Sequence, residues 1–197
     1  MTRYLLLSLV LVLAACAGPT KPLENIPLVW KPEKEPIARM PSTDTGLREA
    51  KLKVAPMTDS RVNPKLIGES KVKLPVRTVT TADDVPAFVT ERVKKLLAGA
   101  GMVVVESGET AVLNGDIQQY FVNETSDNYS GEVKIAFTVT DPAGNVRWQG
   151  VSQGTSTRIG RTYTEGNYYE SLSDALSLAT TSLLYDVGFQ KAVTGRQ

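Results

Sequence analysis

The most restrictive pattern in the sequence is an alternation over positions 132–139, where large apolar residues occupy every second position and Glu132, Lys134 and Thr138 lie on the other face. Such alternation predicts a strand with one buried face and one exposed face. The residues that follow, DPAGN at 141–145, place Pro142 and Gly144 where a short turn needs them. This region therefore predicts an antiparallel hairpin, with these residues pointing inward: Val133, Ile135, Phe137 and Val139.

Further segments extend this hairpin into an α+β domain. Strand-like composition recurs in AKLKVAPM, MVVVE and AVLNGDIQQYFV, while ESKVKLPVRTV is typical of a strand or a loop. One helix is predicted in DDVPAFVTERVKKLLAGAG, with Thr81 and Asp84 as a capping box and Pro86 in its first turn. Another is predicted in NYYESLSDALSLATTSLLYDVG, from Asn167 to Gly188. We expect an antiparallel sheet of about four to five strands with two amphipathic helices packed on one face.

The N-terminus is typical of a secretory signal peptide. Arg3 precedes LLLSLVLVLAA, an apolar run that is too short for the roughly 20 residues of a membrane-spanning helix. Residues 13–16, LAAC, resemble a bacterial lipobox, and the resemblance implies cleavage before Cys16 and acylation of its sulfur and amino group. Two or three acyl chains, palmitate among them, anchor a protein durably. The alternative is an ordinary signal peptide with an incidental cysteine.

The lipobox resemblance also implies a destination and a division of the chain. Lipoproteins kept in the inner membrane typically have Asp after the cysteine, whereas this chain has Ala17, which implies the periplasmic face of the outer membrane. We expect a signal peptide at 1–15, an acylated N-terminus and proline-rich tether at 16–48, and a single periplasmic domain at 49–197. An extended tether of this length could reach on the order of 100 Å. Its apolar cluster Leu28, Val29 and Trp30 is expected to dock on the domain or on a partner.

The order of these elements resembles the YajG-like family of bacterial lipoproteins. The matching segments are APMTDSRVNPKLIG, TTADDVPAFVTERVKKLLAGAGMVV, AVLNGDIQQYFV and VKIAFTVTDPAGNVRWQG, followed by a terminal helix. More distantly, the chain is similar to the small periplasmic domains of curli-secretion, peptidoglycan-synthase-activator and lipid-transport auxiliary lipoproteins. The resemblance implies a fold and a location, and it supplies no catalytic residues.

The amino-acid composition argues against several kinds of binding and catalytic function. The chain has 22 Lys and Arg and 21 Asp and Glu, and loss of the leader removes Arg3 alone, so the mature protein is neutral and a nucleic-acid partner is not expected. There is no histidine, and acylation would consume the only cysteine, so the commonest general base, thiol nucleophile and metal ligands are missing. We expect no enzyme activity, no cofactor and no metal site.

Three further patterns have a functional and a structural interpretation. S-x-x-K at 70–73 and S-D-N at 126–128 match motifs of serine β-lactamases, but no K-T-G is present and the first serine does not open a predicted helix, which favours coincidence. Asp59 and Arg61 could recognise a ligand, although a turn-stabilising ion pair is favoured. Asp83 and Asp84 could act as an acid–base pair, although helix capping is favoured.

The candidate binding site is the connection at residues 158–169. It combines planar donors and amphipathic rings, which are enriched in contact surfaces: Arg158, Arg161, Tyr163, Tyr168 and Tyr169. The alternative is a plain connection whose tyrosines pack on the sheet. We therefore expect a non-catalytic module, anchored to the membrane at Cys16, that binds an envelope protein, lipid or glycan. The alternative function is a lipid or glycan carrier auxiliary to a transport system.

Overall fold

The computed structural model describes residues 22–33 and 46–195. The predicted leader and Cys16 lie outside these residues, as do residues 17–21 and 34–45 of the predicted tether. The described residues form eight strands and three helices. In chain order these are β1 (Lys51–Val54), β2 (Thr58–Asp59), β3 (Leu66–Ser70), β4 (Arg77–Thr80), α1 (Val85–Gly99), β5 (Val103–Val104), β6 (Ala111–Thr125), β7 (Asn128–Thr140), β8 (Val146–Ile159), α2 (Glu165–Tyr185) and α3 (Val187–Thr194).

Strand β6 organises the sheet because both of its edges are paired. On one edge β7 runs antiparallel to it after a turn at residues 126–127, and β8 runs antiparallel to β7. On the other edge β1, β2 and β3 follow one another parallel to β6, from Leu52 opposite Ala111 to Gly68 opposite Val122. Beyond them, β5 pairs with β1 and β4 pairs with β3. Neighbouring segments of the chain thus line up along one long strand.

The predicted antiparallel sheet of four to five strands is wrong, because the sheet of the described residues is mixed and has eight strands. The class is α+β. The error comes from residues 51–70, whose short strands pair in parallel with β6. Parallel pairing joins segments that are distant in sequence, so no hairpin turn marks it. Strand β2 has only 2 residues, too few to show any alternation.

The structure confirms the hairpin that was predicted from the alternation at residues 132–139, and β7 and β8 form it. Alternate residues of β7 are buried over its whole length, from Tyr129 to Val139. In the turn, the Asp141 amide donates to the Asn145 carbonyl oxygen at 2.9 Å, and Gly144 has a φ of 90°. A positive φ of this kind is readily adopted by glycine, which explains the residue at that position.

The helices differ from their predicted ends in informative ways. Asp84 is the N-cap of α1, since its side chain accepts from the Ala87 amide, and Asp84 is therefore not the third helical residue of a capping box. The next helix, α2, begins at Glu165 rather than Asn167. It ends at Tyr185, where Asp186 caps a further helix, so Gly188 lies inside α3 instead of ending a helix.

Close contact between α2 and the hairpin closes the core. The helix packs on β7 and β8, and a Cβ at Gly154 would lie 2.1 Å from the Ala175 carbonyl oxygen, so only glycine allows this approach. Fully buried side chains from the sheet and the helices fill the space between these layers. The largest are Tyr129, Tyr168, Phe137, Phe189, Leu47, Leu52, Ile67, Leu97, Leu113, Ile117, Ile135 and Leu176.

Residues 22–33, which the sequence assigns to the tether, lie on the domain; we call them the N-terminal segment. Leu23 and Ile26 are buried, and the Ile26 amide donates to the Thr80 carbonyl oxygen at 2.9 Å. Trp30 packs against the core, with the Arg92 guanidinium 5.5 Å from its ring centre. The predicted docking of the apolar cluster is thus seen for Leu28 and Trp30, whereas Val29 is 39% exposed.

Candidate interaction surface at the loop end of the sheet

Three connections meet at one end of the sheet. They are the β3–β4 connection, the β6–β7 turn and the connection from β8 to α2, and we call residues 71–76, 126–127 and 159–164 together the loop end. Backbone hydrogen bonds join them, because the Lys71 amide donates to the Glu124 carbonyl oxygen at 2.8 Å and the Gly160 amide donates to the Asp127 carbonyl oxygen at 2.9 Å. Segments far apart in sequence therefore form one continuous surface.

A buried carboxylate holds this end together. Glu124 is fully buried at the end of β6. Its Oε1 accepts from the Tyr163 amide at 2.6 Å, and its Oε2 accepts from the Tyr168 hydroxyl at 2.7 Å. The Tyr129 hydroxyl lies 3.0 Å from the same Oε1 and 2.6 Å from the Arg161 carbonyl oxygen. Burying a carboxylate is costly unless it accepts hydrogen bonds, so these contacts explain how the chain tolerates Glu124 in its core.

Burial changes the acidity of the two tyrosines that contact this carboxylate, Tyr129 and Tyr168, and of the neighbouring Tyr169 in α2. Desolvation raises the pKa of Tyr168, and the hydrogen bond to Glu124 raises it further. Desolvation likewise raises the pKa of Tyr129 and raises that of Tyr169 to about 12. All three hydroxyls therefore stay protonated at neutral pH, where those of Tyr129 and Tyr168 can act as hydrogen-bond donors in this cluster.

Tyr163 connects the loop end to the N-terminal segment. Its φ is 50°, an unusual value for a residue with a side chain. This conformation directs the backbone amide to Glu124, and the hydroxyl accepts from the Leu23 amide at 3.1 Å. The Arg77 guanidinium lies 5.0 Å from the centre of the ring. The N-terminal segment therefore enters the described structure directly beside the loop end.

The five candidate binding residues occupy different environments. Tyr168 is fully buried and Tyr169 is 8% exposed, so both side chains belong to the core. Arg158 is half-buried and forms an ion pair with Glu170, which also pairs with Lys31 of the N-terminal segment at 2.7 Å. Tyr163 is half-buried, whereas Arg161 is exposed. The structure brings Tyr163 and Tyr168 together at Glu124, and Arg161 is the candidate that presents its side chain to solvent.

The exposed side chains of the loop end combine apolar groups with cations. Leu74 is 90% exposed, Ile159 73% and Val76 42%. Lys73 and Arg161 are exposed, and neither forms an ion pair within the described residues. Lys73, Leu74 and Ile159 were not predicted as surface groups, because alternation alone does not show where a strand leaves the sheet.

Glu124 was also missed, although the sequence contains a signal for it. The pairing of β6 with β7 shifts between Ile117 and Gln119, so the inward positions change phase there. After the shift, Tyr120, Val122 and Glu124 face the core. A glutamate two residues after an inward Val122 would have indicated a buried carboxylate if the bulge had been recognised.

The other residues with two interpretations have structural roles. Arg61 and Asp59 form a bidentate ion pair whose side chains are each 6% exposed, with N–O distances of 2.8 and 2.7 Å. Arg61 also donates to the carbonyl oxygens of Leu66 and Tyr120, which ties the chain before β3 to β6. Asp83 accepts from the Leu28 amide at 2.8 Å, and so holds the N-terminal segment.

The serine motifs do not meet the geometry of serine β-lactamases. Ser70 is 3% exposed and ends strand β3, so it does not open a helix. Ser126 lies in the β6–β7 turn with a φ of 58°. Residues 22–33 and 46–195 contain no group of three or more candidate metal ligands. The helices among these residues are too short or too polar to span a bilayer.

A cleft lies at the opposite end of the sheet. It has a volume of about 530 Å³ and is lined by Val146, Arg147, Trp148, Gly188, Lys191, Ala192 and Gly195. The Trp148 ring contacts Phe189 edge to face, with centres 5.8 Å apart. Two cationic side chains and an indole therefore surround a partly apolar space.

Comparison with known proteins identifies a solved structure of similar fold but assigns this chain to no family. No protein-family model matches the chain, and no curated protein is significantly similar to it. The solved structure of XCC0632 from Xanthomonas campestris, described with the family model DUF330, has a TM-score of 0.54 at 13% identity, over 74% of this chain and 87% of that one. At this identity the likeness shows a shared fold.

Two further solved structures are more weakly similar. A minor lipoprotein from Acinetobacter baumannii has a TM-score of 0.44 at 8% identity, over 71% of this chain and 92% of that one. The lipoprotein GNA1162 from Neisseria meningitidis has a TM-score of 0.30 at 14% identity, over 58% of this chain and 88% of that one. Neither likeness is close enough to support an argument about this chain.

Proposed function

We propose that the chain is a lipoprotein anchored by acyl chains on Cys16 at the periplasmic face of the outer membrane. In this proposal its domain is a non-catalytic binding or accessory module for an envelope component. The observation that carries the proposal is the sequence LAAC at residues 13–16, directly after an apolar run of signal-peptide length. In this proposal the acylated N-terminus provides attachment and the domain provides binding, with the loop end as its candidate binding surface.

The test compares two substitutions next to the cleavage site. Cys16→Ser removes the acylated sulfur, so we expect the protein to leave the membrane fraction. Ala17→Asp keeps the acylated residue and introduces the residue typical of inner-membrane retention, so we expect the protein to remain membrane-bound but to change membranes. Membrane fractionation by density, with intact-mass measurement of the mature chain, reads out both. A bare thiol on residue 16 of the wild-type protein would overturn the proposal.

A second candidate function is a carrier for an amphiphilic lipid or glycan, and the cleft beside Trp148 favours it. An indole and Val146 could contact an apolar part of a ligand, and Arg147 and Lys191 could contact an anionic group. Native mass spectrometry of the protein released gently from membranes tests this candidate. A carrier retains bound lipid or glycan, and Trp148→Ala should reduce the retained fraction. A wild-type protein that carries no ligand would contradict it.

A further inference from the structure

We propose that the loop end binds the surface of an anionic phospholipid bilayer directly, as a second membrane contact besides the acyl chains. The inference rests on the proposed function for the position of the bilayer. It deepens that function, because it names phospholipid as the ligand of the candidate surface. Chain length, exposed apolar groups and charge each support it.

The length of chain between the anchor and the domain is short. Leu23 is buried and hydrogen-bonded to Tyr163, and it follows Cys16 by only seven residues. Even a fully extended chain spans at most about 3.6 Å per residue, so these residues reach no further than about 25 Å. Acyl chains on Cys16 would hold that residue at the headgroups. Tyr163, and with it the loop end, must then lie close to the bilayer.

The apolar side chains of the loop end suit an interfacial position. Leu74 and Ile159 expose 90% and 73% of their surfaces to water. Leucine and isoleucine lower the free energy of the system when they leave water for the boundary of headgroups and acyl chains. The side chains belong to neighbouring connections, since Lys73 and Thr162 line the same small cleft.

The exposed charges of the loop end favour an anionic surface. Lys73 and Arg161 are exposed without ion pairs among the described residues, whereas Lys71 pairs with Glu69 at 2.6 Å. Asp127, in the β6–β7 turn, is also exposed, and its negative charge offsets part of the positive charge of Lys73 and Arg161. A lysine or arginine near anionic lipid typically strengthens binding about fivefold. Such cations flanking apolar tips are the pattern of proteins that rest on membrane surfaces.

The first experiment measures vesicle binding without the acyl anchor. The probe protein is the mature chain from residue 16 with Cys16→Ser, and the vesicles contain phosphatidylethanolamine and phosphatidylglycerol, or phosphatidylcholine alone. We expect co-flotation with the anionic vesicles, which weakens at high salt. Lys73→Gln with Arg161→Gln should weaken binding by about fivefold per charge. Leu74→Ser with Ile159→Ser should weaken it by about tenfold.

A matched control alters the opposite end of the sheet. Lys51 is exposed at the start of β1, and its neighbour Val103 is 39% exposed at the start of β5. Lys51→Gln with Val103→Ser removes one charge and one apolar group there, and it should leave vesicle binding unchanged. All of these side chains are exposed, so thermal unfolding and circular dichroism should show that each variant keeps the fold.

The second experiment locates the contact. The Cys16→Ser chain has no other cysteine, so Leu74→Cys can carry a single environment-sensitive fluorophore. Its emission should shift to the blue when anionic vesicles are added, and the same label on Val103→Cys should not respond. In cells, a photocrosslinker at position 74 should react mainly with phospholipid.

The results separate this inference from the proposed function. Vesicle binding that is lost on substitution of the loop end supports the inference even if Cys16 proves to be unacylated. Absence of binding to anionic vesicles, equal responses at positions 74 and 103, or a protein trapped at position 74 would overturn it. In those cases an acylated Cys16 would still leave the proposed lipoprotein in place.

Discussion

Each end of the sheet contains a pair of aromatic side chains in edge-to-face contact, but the interactions that position the two pairs differ. At the loop end, Tyr129 and Tyr168 meet edge to face at 5.3 Å, and the Tyr168 hydroxyl donates to the buried Glu124. At the opposite end, Trp148 and Phe189 meet at 5.8 Å through ring contacts. Hydrogen bonds to a buried carboxylate depend on direction, whereas apolar contacts depend mainly on area. The hydrogen bonds to Glu124 therefore fix the conformation of the loop end. The apolar contacts of the opposite end contribute mainly to the free energy of unfolding.

The largest effect expected from this comparison is at the opposite end. Phe189 is fully buried between α3 and the sheet, and Phe189→Ala would leave a cavity beside Trp148. We expect the free energy of unfolding to fall by about 3–5 kcal/mol. Chemical denaturation measures this change. A loss below about 1 kcal/mol would show that the end collapses around the cavity and contributes little stability.

A smaller loss with a more specific consequence is expected at the loop end. Tyr168→Phe keeps the ring but removes the donor to Glu124 Oε2. An unsatisfied buried acceptor costs about 1–3 kcal/mol. Because Glu124 also holds the Tyr163 amide, we expect faster amide exchange in residues 160–164 by hydrogen-exchange mass spectrometry. Phe189→Ala should not give that local change, and equal protection in both variants would remove the distinction between the ends.

Alkaline pH should also act beside the loop end, at Tyr169 of α2. Burial raises the pKa of Tyr169 to about 12 from its usual value near 10. Between these two values the unfolded chain has lost the proton and the folded chain still holds it, so stability falls as pH rises from about 10 to about 12. Tyr169→Phe should make this fall less steep in denaturation measured across that range. An unchanged slope would contradict the assignment.

The smallest effects compare helix N-termini at the two ends. Asp186 caps α3, with its Oδ1 accepting from the Phe189 amide at 2.8 Å, whereas Thr164 precedes α2 without a side-chain capping bond. Asp186→Ala should lower the free energy of unfolding by about 1 kcal/mol. Thr164→Ala should lower it by less than about 0.5 kcal/mol. Equal losses in thermal unfolding would mean that Thr164 stabilises α2 in another way.

The sequence predicted the parts of the fold that depend on local signals. The hairpin at 132–150 was predicted from alternation and from Pro142 and Gly144, and the start of α1 from its acidic residues and Pro86. The sheet was mispredicted because β1, β2 and β3 pair in parallel with β6, far away along the chain. Such pairing depends on tertiary contacts that no short pattern contains.

Binding at the connection 158–169 stays a prediction, and the structure shows only where this connection lies and which of its side chains are exposed. The connection at 158–169 does lie at one end of the sheet, but Tyr168 and Tyr169 face the core. Exposure could not be inferred because tyrosine suits both a contact surface and a buried hydrogen bond. Lys73 and Leu74 come from another part of the chain and join the surface through β3–β4 pairing.

Docking of the N-terminal segment has a consequence for the timing of folding. Its contacts join the beginning of the chain to residues made much later, since Leu23 bonds to Tyr163 and the Lys31 amide bonds to Ser173. Contacts of such high sequence separation form slowly, because a long loop must close first. As a chain emerges from its N-terminus, this segment has no binding site until the tyrosine connection and α2 have followed. The N-terminal segment can therefore dock only after these later elements have formed.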